Sequence, residues 1–442
     1  MKGNLKSDNI AALFFKYLIP SVGGTLAYGV LIFIDTVFIG RGIGSLGLAA
    51  LNLSLPVYTL VAFGMMLGMG GATAASIDQG KGDFEKRNQT FSLSVFLGIA
   101  LSIVLSIILS LNLEWICRIL GAEGETYELT YDYLNVITKT LILYIMPHVI
   151  SSFIRNDKNP KLTMINLLVC AFFNIILDYL FIFVFKWGMS GAALATGIAQ
   201  FMGLMTLLTH FKMPQNTLKY VKTKIDFTII KRIITIGGSS FINEIAMGTI
   251  IFLFNYMFNK YLGENGIASY GIILNINLLI YLVFSGISQG AQPILSINYG
   301  AGLYTRVRET LRLGIKVSLV CGIFFYISLL IFRDPVILLF TRNNPAILEI
   351  TKVGFPIFFL GSIFTGLNLA LGGFFQSIGN GKIASIINIM RGFVLIALGL
   401  LILPKLFGVI GIWSAYLVCE VLTFILATVY YKKFFKKKNL SL

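Results

Sequence analysis

The sequence predicts an all-α polytopic membrane protein, with twelve transmembrane helices in two six-helix lobes related by a pseudo-two-fold axis along the membrane normal. Three observations predict it. Of the 442 residues, 57% are hydrophobic and 12% charged, where soluble domains carry about one quarter charged residues; mean hydropathy is +0.85. The apolar residues form continuous runs of about 20 or more, the length of helix that crosses a bilayer. They are not the short alternating segments of a membrane barrel. Finally, the second half of the chain reads as a copy of the first at an offset of about 220 residues.

The first run, 13–40, holds Pro20 near one end and a lone carboxylate, Asp35, near the other. It is too long for a signal-peptide core and no small-x-small cleavage pattern follows it, so it is expected to be retained. Runs two to six fall at 48–76, 91–111, 130–154, 162–185 and 190–210. The basic segment from Lys212 to Arg232 separates them from runs at 232–259, 267–297, 311–332, 350–376, 383–403 and 408–431. The expected division is an N-lobe at 1–211, a cytoplasmic linker at 212–231, and a C-lobe at 232–442 that ends in a basic cytoplasmic tail. Pro20, Pro56, Pro147, Pro293 and Pro356 lie inside runs, where each removes a backbone hydrogen bond and permits a bend. Pro20 is the expected hinge. The glycines at 23–24 and 64–71 read as surfaces where helices approach closely.

The repeat is carried by turns. Ser76-Ile-Asp-Gln-Gly-Lys-Gly82 matches Ser296-Ile-Asn-Tyr-Gly-Ala-Gly302, Gly44-Ser-Leu-Gly47 matches Gly263-Glu-Asn-Gly266, and Gly188-Met-Ser-Gly191 matches Gly408-Val-Ile-Gly411. Six spans return each half to its starting side, so both halves insert the same way up. Parallel repeats of this kind, with a cavity between them, are a carrier architecture. Channels more often assemble from separate subunits.

The formal net charge is +16. With both termini in the cytoplasm, Lys and Arg concentrate on that side, in 81–87, 155–161, 212–232, 306–316 and the tail. This is the positive-inside pattern, so the basicity sets topology and no nucleic-acid partner is expected. The location it implies is the cell inner (plasma) membrane. Cys117, Cys170, Cys321 and Cys419 form no C-x-x-C pair, so neither a disulfide framework nor a structural metal knuckle is expected.

Charges inside spans mark functional sites, because a charged side chain at bilayer depth costs a few kcal/mol or more. Asp35 lies about 9 Å below Arg41, in the outer half of its span. Asn174 and Asp178 form an i, i+4 pair on one helix face, and Asp178 lies at a depth similar to that of Asp35. Two such carboxylates share one proton or enclose one small cation, since burial and like charge disfavour leaving both ionised. The repeat places Phe254 or Asn255 opposite Asp35 and Leu398 opposite Asp178, so the second lobe carries no such pair. Glu244, near mid-membrane, reads as the neutraliser of a cationic substrate, a second proton site, a packed neutral acid or a partner of Arg391. Arg391 and Glu420 read as a structural pair, Lys139 as a side chain reaching outward, and His148 as a hydrogen-bonded bundle residue. No nucleophile and base constellation, phosphate loop or H-E-x-x-H motif occurs. Neither an enzyme nor an ATP-driven pump is expected, and no cofactor is implied.

Taken in order, these residues resemble the MATE (multidrug and toxic compound extrusion) transporters over roughly 10–432. The motifs are Pro20 with Asp35, Leu48-Ala-Ala50, Gln79-Gly-Lys-Gly82, Arg155-Asn-Asp-Lys-Asn-Pro160, Asn174-x-x-Leu-Asp178 and Gly191-Ala-Ala-Leu-Ala-Thr196. The resemblance implies secondary active efflux of hydrophobic and cationic compounds by H⁺ or Na⁺ antiport with alternating access. It implies an N-lobe cation site at Asp35, Asn174, Asp178 and Thr196, with Tyr133 a weaker match; Na⁺ would sit at Asp35, Asn174 and Asp178. Occupancy would bend the first span near Pro20. Glu244 is similar to an acid of the seventh span of some members. The family's tenth-span aspartate has no match, Asn368 standing in that span. Partners implied are small cationic or amphipathic molecules and membrane lipids, and a monomer is expected. Two rival readings stand beside it: a lipid-linked oligosaccharide flippase of the same superfamily, which needs basic cavity residues, and a membrane-embedded enzyme or assembly factor without a transport cycle.

Overall fold

Inside a bilayer, backbone N–H and C=O groups must pair within their own segment, so continuous apolar runs fold as helices. The computed structural model describes residues 5–341 and 344–437, and over these it is helical with no strand. The last residues of the basic tail, 438–442, lie outside the described residues.

Twelve spans result among the described residues. They are α1 (Ile10–Gly42), α2 (Ser45–Lys81), α3 (Phe84–Leu111), α4 (Gly124–Lys139 with Leu141–Asn156), α5 (Pro160–Val184) and α6 (Gly188–Lys212). The second set is α7 (227–262), α8 (264–300), α9 (Tyr304–Ile331), α10 (Pro345–Ser377), α11 (381–407) and α12 (409–436). Gly263 and Gly408 separate α7 from α8 and α11 from α12 without a loop, each at a φ near +60°. That region is open to glycine at little cost. The pairs Gly44 and Gly263, Gly82 and Gly302, and Gly188 and Gly408 all have positive φ, so the repeated turn motifs are repeated turn conformations.

Helices run a few residues past the apolar runs, because polar residues at the interface complete the last turns. One consequence is that α11 extends to 407 and takes in Pro404, which the run ending at 403 leaves out. A second difference is α4, which is bent by 49° around Thr140.

The chain divides into two compact units. Unit 1 comprises Met1–Ser7 and Ile19–Phe241, and unit 2 comprises Asp8–Leu18 and Ile242–Leu442. Within unit 1, the glycines of α2 admit α4 and α7. A Cβ on Gly68 would lie 2.5 Å from the His148 carbonyl oxygen, and one on Gly70 would lie 2.2 Å from that of Ile233. Arg232 of α7 closes this contact through Asp78 at 2.7 Å. In unit 2, Phe254, Phe258, Tyr270, Phe358 and Trp413 form one buried aromatic stack. Large apolar side chains such as Phe33, Leu111 and Phe324 are exposed on the helix surfaces.

Candidate cation site

Local sequence explains why α5 and α6 can build a polar site. The α-helical part of α5 ends at Asp178, and a π-helical turn occupies Tyr179–Val184; such bulges occur frequently at functional sites. In α6, Gly191, Ala192, Ala193, Ala195 and Gly197 surround Thr196, and small residues let two membrane helices approach closely. Asn174 and Asp178 are fully buried at 0% exposure and Thr196 is 3% exposed.

The Asn174 Nδ2 donates to Thr196 Oγ1 at 3.3 Å, and Thr196 Oγ1 donates to the Ala192 carbonyl at 3.1 Å. This fixes the Asn174 amide so that Oδ1 remains as an acceptor. Asp35 of α1 faces Asp178, and Tyr133 of α4 lies beside both carboxylates. Asp35 Oδ1, both carboxylate oxygens of Asp178 and Asn174 Oδ1 are buried with no hydrogen-bond partner. Buried polar atoms are nearly always partnered. A set of unpartnered oxygen acceptors, two of the side chains carboxylates, is a place for a proton or a small hard cation.

Of the residues singled out from sequence, Asp35, Tyr133, Asn174, Asp178 and Thr196 are therefore brought together in unit 1. Pro20 is not in the site. It lies fifteen residues before Asp35 on the same helix, about 22 Å along the axis, and α1 runs through it without interruption. Glu244 and Asn368 belong to unit 2. Glu244 is half-buried. Asn368 is committed: its Nδ2 donates to Glu420 Oε2 at 2.7 Å and to the Glu420 carbonyl at 2.8 Å. Arg391 pairs with Glu420, Nε to Oε1 at 2.8 Å, and its Nη1 reaches Asn243 Oδ1 at 3.5 Å. Lys139 is exposed and His148 is half-buried against α2.

The sequence reading missed three phenols around the carboxylates, Tyr28, Tyr58 and Tyr144. Spacing held a signal for one of them. Tyr133 and Tyr144 are eleven residues apart, three helical turns and so one face, on either side of the bend at Thr140. In unit 2, Phe254, one of the two residues the repeat sets opposite Asp35, stacks on Tyr270 at 5.0 Å between ring centres. The place of the carboxylate is taken there by an aromatic stack.

A doubled six-helix membrane protein with a buried carboxylate pair in one half defines the class. The chain belongs to the MATE family of transporters: the family model MatE matches it twice, over residues 20–180 and 239–401. The two matches start 219 residues apart (239 − 20), the offset of the internal repeat. The protein is similar to the multidrug export protein MepA of Staphylococcus haemolyticus, with 28% identity over 428 residues, 96% of this chain and 93% of that one. To MepA of Staphylococcus aureus it is 29% identical over 406 residues, 90% and 88% of the two chains. Its fold is similar to that of an outward-facing multidrug resistance MATE family transporter, with a TM-score of 0.93, 20% identity and coverage of 99% and 98%.

Proposed function

We propose that this protein exports hydrophobic and cationic small molecules by antiport with H⁺ or Na⁺, cycling between inward and outward access. The observation that carries the reading is the set of buried, unpartnered oxygens on Asp35, Asp178 and Asn174. An ion or proton entering there relieves both the desolvation of the carboxylates and their mutual repulsion. That gain differs between the two access states if α1 bends at Pro20 when the site fills, and a ligand shifts an equilibrium only by such a difference. The multidrug export relatives support the substrate class. Glu244 is the carboxylate of unit 2 suited to meet a substrate cation, since Glu420 is already engaged by Arg391 and Asn368. The distribution of Lys and Arg supports a cell inner-membrane protein with both termini in the cytoplasm, acting as a monomer with lipids as its other partners.

The test is Asp35→Asn in reconstituted vesicles, with efflux of a cationic dye driven separately by a proton and by a sodium gradient. The variant is expected to lose at least tenfold in ion-driven flux while still binding the dye. Wild-type flux from the variant under both gradients would sink the assignment, and comparing the two gradients on the wild type identifies the coupling ion.

A further inference from the structure

A buried polar seam runs from the cation site along α5 and α6, and the coupling described so far makes no use of it. On α5, Asn159, Thr163, Asn166, Cys170, Asn174 and Asp178 follow one another at steps of three or four residues, the spacing of a single helix face. All six are buried. From Asp178 back to Asn159 the helix covers about 28 Å, most of the thickness of the hydrocarbon layer. On the facing helix, Thr196 Oγ1 accepts from Asn174, and one turn further on Gln200 Oε1 accepts from the Cys170 thiol at 3.9 Å. The same thiol lies 3.8 Å from Asn166 Oδ1. Gly203 leaves room for both side chains: a Cβ there would lie 2.2 Å from Cys170 Sγ and 2.5 Å from Asn166 Oδ1. At the far end, Asn159 caps α5 by accepting from the Leu162 N–H at 3.3 Å, and its amide nitrogen lies 3.2 Å from His210 Nδ1.

The repeat shows that the architecture does not require these groups. Asn380 caps α11 as Asn159 caps α5. Four, seven and eleven residues after the cap stand Thr163, Asn166 and Cys170 in unit 1, and Ala384, Ile387 and Arg391 in unit 2. Gln200 and Glu420 likewise stand twelve residues after the matching glycines Gly188 and Gly408. Where unit 1 has the long contact between Cys170 and Gln200, unit 2 therefore has Arg391 locked to Glu420 at 2.8 Å. One seam is apolar and closed by an ion pair; the other is lined with uncharged amide, thiol and hydroxyl groups. Contacts to a thiol at 3.8 and 3.9 Å do little to hold two helices together, and polar side chains at this depth mark ion pathways.

We propose, building on the reading of Asp35 and Asp178 as the coupling site, that the α5–α6 seam of unit 1 is the route by which the coupling ion leaves that site for the cytoplasm. Amide and hydroxyl oxygens are hard ligands for a passing Na⁺, and they hydrogen-bond the water that carries a proton. The closed seam of unit 2 gives no such passage, so the ion leaves through one half of the molecule only.

Cys170 supplies the probe, because Ag⁺ is a monovalent cation of nearly the size of Na⁺ that binds soft thiol ligands. Ion-driven dye efflux is followed in chloride-free vesicles with Ag⁺ added to one face or the other. Inhibition is expected to be at least tenfold faster from the cytoplasmic face and to be lost in Cys170→Ser, each variant being compared with its own rate without silver. Asn166 stands one turn nearer the cytoplasm than Cys170, so Asn166→Leu should slow the inhibition about tenfold, the worth of one hydrogen bond to a charged species. Asn166→Ser, which keeps a polar group there, should restore it. No inhibition, equal rates from the two faces, inhibition of Cys170→Ser as fast as that of the parent, or an unchanged rate in Asn166→Leu would each overturn the proposal. Asp35→Asn tests the underlying reading separately. Wild-type ion-driven efflux in that variant removes the coupling site, whereas loss of coupling there with a silver-insensitive parent removes only the route.

Discussion

A charge buried in a membrane protein behaves according to whether its hydrogen-bonding capacity is met, and the two units treat theirs oppositely. In unit 2, Glu420 is 1% exposed and both of its carboxylate oxygens are engaged, by Arg391 and Asn368. In unit 1, the Asp178 carboxylate faces a second acid, Asp35, and has no basic side chain paired with it among the described residues. A satisfied buried pair is structural: breaking it strands one charge, while replacing both with apolar side chains is often neutral. Arg391→Met alone is therefore expected to destabilise the protein by about 3–5 kcal/mol. The double replacement of Arg391 and Glu420 by Met should recover most of the loss, and thermal unfolding in detergent distinguishes the two. The charges themselves were plain in the sequence, because each interrupts an apolar run. The pairing of Arg391 with Glu420 was read from the sequence although the two lie 29 positions apart, but the part of Asn368 in it was not.

Helices in lipid gain no hydrophobic drive from meeting one another, so their contacts depend on close backbone approach. The crossing of α2 and α7 is the tightest instance. A Cβ on Gly237 would lie 1.9 Å from the Met66 carbonyl oxygen, while its neighbour Gly238 has nothing within 4 Å. Gly237→Ala is expected to abolish the folded monodisperse protein, and Gly238→Ala to leave it intact, as size-exclusion profiles of the two variants would report. The runs of the sequence placed all twelve spans because hydrophobic length is a local property. The bend of α4 at Thr140 was not local in this sense. Pro147 lies inside the helix that follows the bend, so the proline one would have blamed is not where α4 turns.

Over the whole molecule, the linker between the two sets of spans is anchored to unit 1. Asp157, 2% exposed, accepts from the backbone N–H of Thr217 at 2.8 Å and from the Thr217 hydroxyl, and pairs with the buried His210 at 2.9 Å. Arg87 donates to Thr217 Oγ1 at 2.8 Å, and Ser92 Oγ accepts from the Val221 N–H at 2.8 Å. These bonds tie an extended segment to the ends of α3, α4 and α6, and unit 1 continues past it to Phe241. Asp157→Ala removes the acceptor for both Thr217 bonds. The variant is expected to be cut by trypsin at Lys219, Lys222 or Lys224 at least several times faster than the parent, since cleavage follows the population of the opened segment. Equal cutting rates would show that the linker is held by other contacts.

The sequence by itself determined the fold class, the span count, the repeat and the positions of the membrane-embedded charges, because each follows from hydrophobic length, turn residues or the cost of charge in lipid. Only the tertiary structure decided which charges are satisfied and which are left open. Hydrogen bonding between Asn174 and Thr196, or between Asn368 and Glu420, joins residues 22 and 52 positions apart, and no one-dimensional pattern records a partner at that range. That is the reason two polar clusters that look alike along the chain become an open set of oxygen acceptors in one half and a closed ion pair in the other.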